Sequence, residues 1–210
     1  MKLVPFILLS VSALQGYSQT FSKVFNYDGG SSTAWSVRIV EDGYIAVGDG
    51  GIIANDRWIG LQILKTDFSG NMVFFKGYGK EGYAYWSGYV GSATLTPNGV
   101  ATCAIFVDSL DNTKLLLARF DKNGDTLFTK KYGDSCTELG RQCRFDSDGN
   151  FILLGETAGF GFNKQYHLLK VDSIGNKLWD TTYGGVYDEI ASSLEITKNG
   201  FMIGGATKGC

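Results

Sequence analysis

Three aromatic residues, Tyr83, Tyr85 and Trp86, crowd among glycine and serine in the stretch from Tyr78 to Tyr89. Rigid amphipathic rings on a loop stack on sugar rings or anchor a protein partner, because they offer large contact area at low entropic cost. These are the candidate ligand-binding residues. Two polar patterns suggest a cation instead: Asp121, Asn123 and Asp125, and likewise Asp146, Asp148 and Asn150, alternate oxygen ligands as the start of a calcium loop does. Such a loop needs a bidentate acid at its twelfth position, where Tyr132 and Thr157 stand. Hairpin turns explain both patterns, since Asp, Asn and Gly accept positive φ. No metal site and no cofactor are expected.

His167, the sole histidine, opens an apolar strand, and no Ser or Cys nucleophile occupies a recognisable elbow. It reads as a structural residue. Glycoside hydrolysis would need paired carboxylates, and the sequence nominates none. No catalytic residue is assigned, and the chain reads as a binder and not an enzyme. Of the four cysteines, only Cys136 and Cys143 lie close in sequence. They are the candidate disulfide of an exported chain; the alternative is a pair of reduced thiols in adjacent loop and strand, because geometry and not spacing decides pairing.

The elements that would position these residues come from a repeat. The units LQILKTDFSGNMVFFKGYG from Leu61, LLLARFDKNGDTLFTKKYG from Leu115 and HLLKVDSIGNKLWDTTYG from His167 superpose at intervals of roughly 50 residues. Asp67, Asp121 and Asp172 coincide, as do Gly70, Gly124 and Gly175, and then an aromatic column of Phe74, Phe128 and Trp179. A second unit precedes each, with turn glycines Gly43, Gly99, Gly149 and, once more, Gly200. Each unit is two short apolar runs split by Asp-Gly, Asn-Gly or Asp-x-x-Gly, which is the pattern of a β-hairpin. Two hairpins make four strands per repeat. Pro97 is the sole proline after Pro5, and no helical periodicity appears.

The expected fold is therefore all-β, a β-propeller of four-stranded blades, incomplete at about three and a half. Residues 20–34 supply an outer strand of a closing blade and a linker, with Phe21 in the aromatic column. Residues 35–79, 89–133 and 139–184 form blades 1 to 3, and 190–210 the first hairpin of blade 4. The chain reads as truncated relative to a larger ring. The polar loops 48–59, 106–113 and 156–165 share one face with the Tyr83 to Trp86 stretch.

Residues 1–19 have the layout of a secretory signal peptide: Lys2, an apolar run to Leu14, then small and polar residues. The run is shorter than the roughly 20 residues of a membrane span, so no membrane insertion is expected after its removal. The expected location is secreted or cell-surface. A net charge of −2, from 19 basic and 21 acidic residues without like-charge runs, argues against a nucleic-acid partner.

The stretches DGYIAVG and LLKVDSIGNKLWDTTYGG resemble the tandem β-propeller repeats of secreted bacterial surface proteins, which often carry a sorting domain for type IX secretion. The resemblance spans residues 20–210 and implies extracellular binding or adhesion, with a protein or glycan partner. The stretch from Asp172 to Trp179 is also similar in part to the tryptophan-docking repeat of quinoprotein dehydrogenases, though its turn is one residue shorter and Phe replaces Trp at 74 and 128. That similarity carries the alternative reading, a fragment of a propeller enzyme, hydrolase or quinoprotein-like.

Overall fold

A computed structural model describes residues 21–51, 59–133, 137–159 and 163–209. The expected signal peptide, the loop residues 52–58 and 160–162, and Cys136 lie outside them. The described elements are all strands: β1 (Ser32–Val40), β2 (Gly43–Gly51), β3 (Ile59–Thr66), β4 (Met72–Tyr78), β5 (Ala84–Ser87), β6 (Ala93–Thr96), β7 (Gly99–Val107), β8 (Thr113–Asp121), β9 (Thr126–Tyr132), β10 (Thr137–Phe145), β11 (Phe151–Ala158), β12 (Gln165–Val171), β13 (Lys177–Tyr183), β14 (Asp188–Thr197) and β15 (Gly200–Lys208). They form sheets in chain order: β1-β2-β3-β4, then β5-β7-β8-β9 with β6 also on β7, then β10-β11-β12-β13, then β14-β15. Every pairing is antiparallel. The all-β expectation and the four-stranded repeat unit hold.

The repeated Asp builds one hairpin turn in each full sheet. Oδ1 of Asp67, Asp121 and Asp172 accepts the backbone N–H groups two and four residues on, an Asx-type turn that spends the carboxylate on its own backbone. Asp146 does the same in the β10–β11 turn. The alternating oxygens read as a possible calcium loop are thus turn residues, as expected.

The hydrophobic cores lie between successive sheets. Strand alternation sends Leu116, Ala118 and Phe120 of β8 toward Ile45, Val47, Leu61 and Ile63 of the first sheet, and Leu115 and Leu117 toward Leu153, Leu169 and Val171 of the third. Both faces of the strand are buried, so it reads as a continuous apolar run without alternation. A third cluster joins Ile152, Leu154 and Leu168 to Ala191 and Leu194.

A second device locks each sheet to the next. The aromatic column lies over the turn glycine of the following sheet: a Cβ on Gly124 would stand 2.7 Å from the Phe74 ring, and one on Gly175 would stand 3.1 Å from Phe128. These glycines have φ of 79° and 83°, so backbone conformation and the neighbouring ring both oppose a side chain. Tyr78 donates to the Gly124 carbonyl, and Tyr132 donates to Gly175 O at 2.8 Å. Phe21 stands on Gly70 in the same way, 2.5 Å from a Cβ placed there, and Lys23 reaches Asn71 at 2.8 Å. Residues 21–26 therefore make the side-chain contacts of an outer strand, but among the described residues no strand hydrogen-bonds to them and they form no ladder. The sheet boundaries also start earlier than the repeat suggested, at Ser32, Ala84, Thr137 and Asp188.

Candidate functional site

The first strands of three sheets carry the same irregularity. Register slips between Ala34 and Ser36, Gly140 and Gln142, and Ala191 and Ser193 leave Trp35, Arg141 and Ser192 as bulged residues. In the second sheet the same place opens into the loop between β5 and β6, which carries Tyr89. A bulge re-aims its side chain and frees it from the ladder. Here the re-aimed groups meet in a row: the Trp35 and Tyr89 rings are 6.0 Å apart, and the Arg141 guanidinium lies 4.0 Å from the Tyr89 centroid.

Two acids at matching register hold the row. Asp49 pairs with Thr33 and Glu156 with Leu139, each two ladder steps past the bulge. Asp49 Oδ2 accepts from Trp35 Nε1 at 3.1 Å and from the backbone of Ser87 in the next sheet at 2.8 Å. Glu156 Oε1 accepts from Arg141 Nε at 2.8 Å and from the backbone of Ala191 in the next sheet at 3.0 Å. Each acid thus ties its own bulge to the following sheet. Burial pushes the Asp49 carboxyl up to about 6, against the pull of its two hydrogen bonds. The other oxygen of Glu156 has no hydrogen bond, with Lys164 Nζ 3.8 Å away.

The Tyr89 loop is a fixed platform. Gly88 is packed so closely that a Cβ would stand 2.4 Å from Arg141 O, and Gly91 N donates to Trp35 O at 3.1 Å. Gln142 Nε2 holds Val90 O at 2.7 Å, and Arg38 and Arg144 both donate to Gly91 O. The loop presents Tyr89 at 51% exposure and Val90 at 71%.

The sequence-nominated aromatics divide. Tyr83 and Tyr85 pack on Phe106 at centroid distances of 5.4 and 5.3 Å and flank the core between the first and second sheets. Lys131 covers the Phe106 ring at 3.2 Å. Trp86 alternates to the opposite side, stays 43% exposed, and pairs with Ile105, which takes the register place that Asp49 and Glu156 hold in their sheets. Cys143, the other half of the candidate disulfide, is a buried free thiol donating to Ser92 O at 3.2 Å; burial pushes it up to about 12.

His167 is built into a clamp. Its Nδ1 lies 3.1 Å from Glu138 Oε2 and its Nε2 lies 3.4 Å from Asp180 Oδ2; Thr157 donates to Glu138 at 2.7 Å and Lys177 pairs with Asp180 at 3.0 Å. Burial alone would lower the imidazole, but the two carboxylates outweigh it and raise it. The network joins β10, β12 and β13 beside a cavity of about 340 Å³ and uses its polar atoms on one another. Among the described residues, no group of three His, Cys, Asp or Glu side chains could hold a metal ion.

Sequence reading missed Trp35, Tyr89, Arg141, Asp49 and Glu156. One signal was available: Asp49 and Glu156 each follow a glycine at the end of an otherwise apolar strand, Gly48 and Gly155, where a charge has no packing role.

The molecule is thus an all-β chain of stacked antiparallel sheets with an aromatic and ionic row at their bulged first strands. No protein-family model matches the sequence, and no curated protein does. A solved structure of a protein of unknown function from Bacteroides caccae is similar over 86% of this chain and 54% of that one, at 11% identity and a TM-score of 0.48. The chain spans about half the length of that protein.

Proposed function

We propose that this chain is a noncatalytic, secreted or cell-surface propeller module that binds a protein or glycan through the bulge row. Four strands per unit, cores between successive units and an outer strand that grips the next unit's turn support reading the sheets as blades. The observation that carries the reading is the line of Trp35, Tyr89 and Arg141. Three successive sheets deliver one side chain each from equivalent positions, onto a loop pinned by five neighbouring residues. Rigid aromatic anchors with an ionic flank are what a recognition surface needs. Asp49 supports it too, because a carboxyl held near 6 by burial weakens the fold at neutral pH, and such costs concentrate at working sites.

The His167 network counts less as an acid–base centre because its members satisfy one another. The test is a glycan and protein array probed with the wild type and Tyr89→Ala. A binder lost by at least about tenfold on truncating one exposed aromatic anchor is expected; binding untouched by Tyr89→Ala would remove the row as the interface.

A further inference from the structure

One interface between sheets lacks a part that the others have. The residue straight after the first long hairpin turn is Tyr44, Phe151 and Phe201 in the first, third and fourth sheets. Each ring faces what precedes its sheet. Tyr44 lies 6.2 Å from Phe21, Phe201 lies 5.9 Å from Trp179, and Phe151 is buried against Ala101, Leu115 and Leu117 of the second sheet. In the second sheet the same place holds Val100. Its partner across the hairpin is smaller too, because Leu95 stands where the third sheet has Phe145. Phe120, opposite Val100 on β8, does not replace the missing ring, since it leans on Tyr78 at 4.9 Å and lines a different cavity.

A cavity of about 500 Å³ opens there, between the first and second sheets and at the far end of β1 from Trp35. Small-molecule sites are of that size, on the order of 300 to 1,000 Å³. Its apolar wall is Ile39, Val40, Ile45, Leu95 and Pro97, and Ile39 at 69% and Leu95 at 38% exposure leave that wall open to a ligand. A cation is the second mark. In the next interface Arg119, paired with Ala101, lies 5.8 Å over Phe151 and donates to Ser173 O at 2.8 Å. Lys65, paired with Ile45, takes the equivalent place one sheet earlier. The second sheet offers it no ring after the turn, and its Nζ turns back to Asp42 at 2.8 Å. Glu41 and Lys122 complete the rim, so its two acids balance its two lysines, and Arg38 on the same strand is held by the Gly91 and Ala93 carbonyls. The rim therefore sets no charge preference, and shape decides what enters.

We propose that this cavity binds a small uncharged aromatic molecule, whose ring lies on Ile45 and Leu95 under Lys65 and supplies what Phe151 supplies to the next interface. The site is separate from the bulge row, so it stands or falls independently of the binding reading above.

The experiment titrates the full chain with 2-naphthol and with its saturated counterpart decahydro-2-naphthol, by saturation-transfer NMR and calorimetry. Binding of 2-naphthol at millimolar concentration or below is expected, with the saturated alcohol weaker. Leu95→Trp places a ring of the protein's own in the cavity and should weaken 2-naphthol by at least about tenfold. Lys65→Met keeps the apolar stem and removes the cation; it should weaken 2-naphthol about two- to fivefold and leave the saturated alcohol unchanged. Leu95 is partly exposed, and Lys65→Met keeps the proposal falsifiable if Leu95→Trp fails to fold. Leu127→Ala, on the outer strand of the second sheet, should change nothing. No binding of 2-naphthol at millimolar concentration, binding untouched by Leu95→Trp, or equal affinity for the two alcohols overturns the proposal.

Discussion

Replacing Asp49 by Asn should stabilise the protein at pH 8 and leave it nearly unchanged at pH 4. The two side chains have the same shape, and Asn Oδ1 can still accept from Trp35 Nε1 and Ser87 N, the two bonds now made by Asp49 Oδ2. Only the charge differs. In the unfolded chain Asp49 ionises near 3.8, and in the folded protein near 6. As pH rises from about 4, the unfolded state therefore sheds its proton first and gains on the native state. The stability that the neutral carboxyl supports is complete below about 4 and lost through about 6. At about 1.4 kcal/mol per unit the full shift would be worth roughly 3 kcal/mol. Asp49 is only partly buried, and solvent screening reduces that to about 1 to 2 kcal/mol. Urea unfolding followed by tryptophan fluorescence at pH 4, 5, 6 and 8 measures it. The wild type should lose stability across that range while Asp49→Asn runs flatter, the two curves meeting near pH 4. A variant less stable than wild type at pH 8, or a constant offset at all four values, would refute the burial argument.

The sole histidine gives a clean NMR titration, and His167 is expected to titrate above 6.5 because Glu138 and Asp180 hold its proton; its stabilisation is complete below 6.5 and lost as pH rises through the folded value, and a midpoint under 6.5 would contradict the clamp. Gly124→Ala should cost about 2 to 4 kcal/mol, since positive φ and the Phe74 ring both oppose a Cβ. Gly149→Ala, at φ of 84° with open space around it, should cost only about 1 kcal/mol, so equal losses in thermal unfolding would refute the interlock. Leu116→Ala, fully buried between the first and second sheets, should cost about 2 to 5 kcal/mol in the same assay. Cys143 should resist a thiol reagent in the native protein and react on unfolding, because burial keeps it protonated.

Strands, turns and the repeat were legible in the sequence because their causes are local. An Asp followed by glycine three residues on closes its turn through bonds to its own neighbours, whatever sheet it sits in. The aromatic column was legible for a related reason: an interlock repeated three times leaves three equivalent rings, and Phe21 was assigned to it by spacing alone. Of the three aromatics singled out from the sequence only Trp86 keeps an exposed ring, and nothing local distinguishes it from Tyr83 and Tyr85, which lean on Phe106.

The row was different. Whether Trp35 or Arg141 is bulged depends on how its strand registers against a partner strand further along the chain, and that register is set by packing on the next sheet. The meeting of Trp35, Tyr89 and Arg141 joins three repeats about 50 residues apart, two of them bulged alike and the middle one opened into a loop. Turn chemistry and apolar patterning are properties of a segment, so the sequence by itself determined the all-β class and the four-strand unit. Bulge register, the burial that shifts Asp49 and the sharing of Glu156 between two sheets arise only when sheets stack, so the tertiary structure alone decided where the candidate site lies.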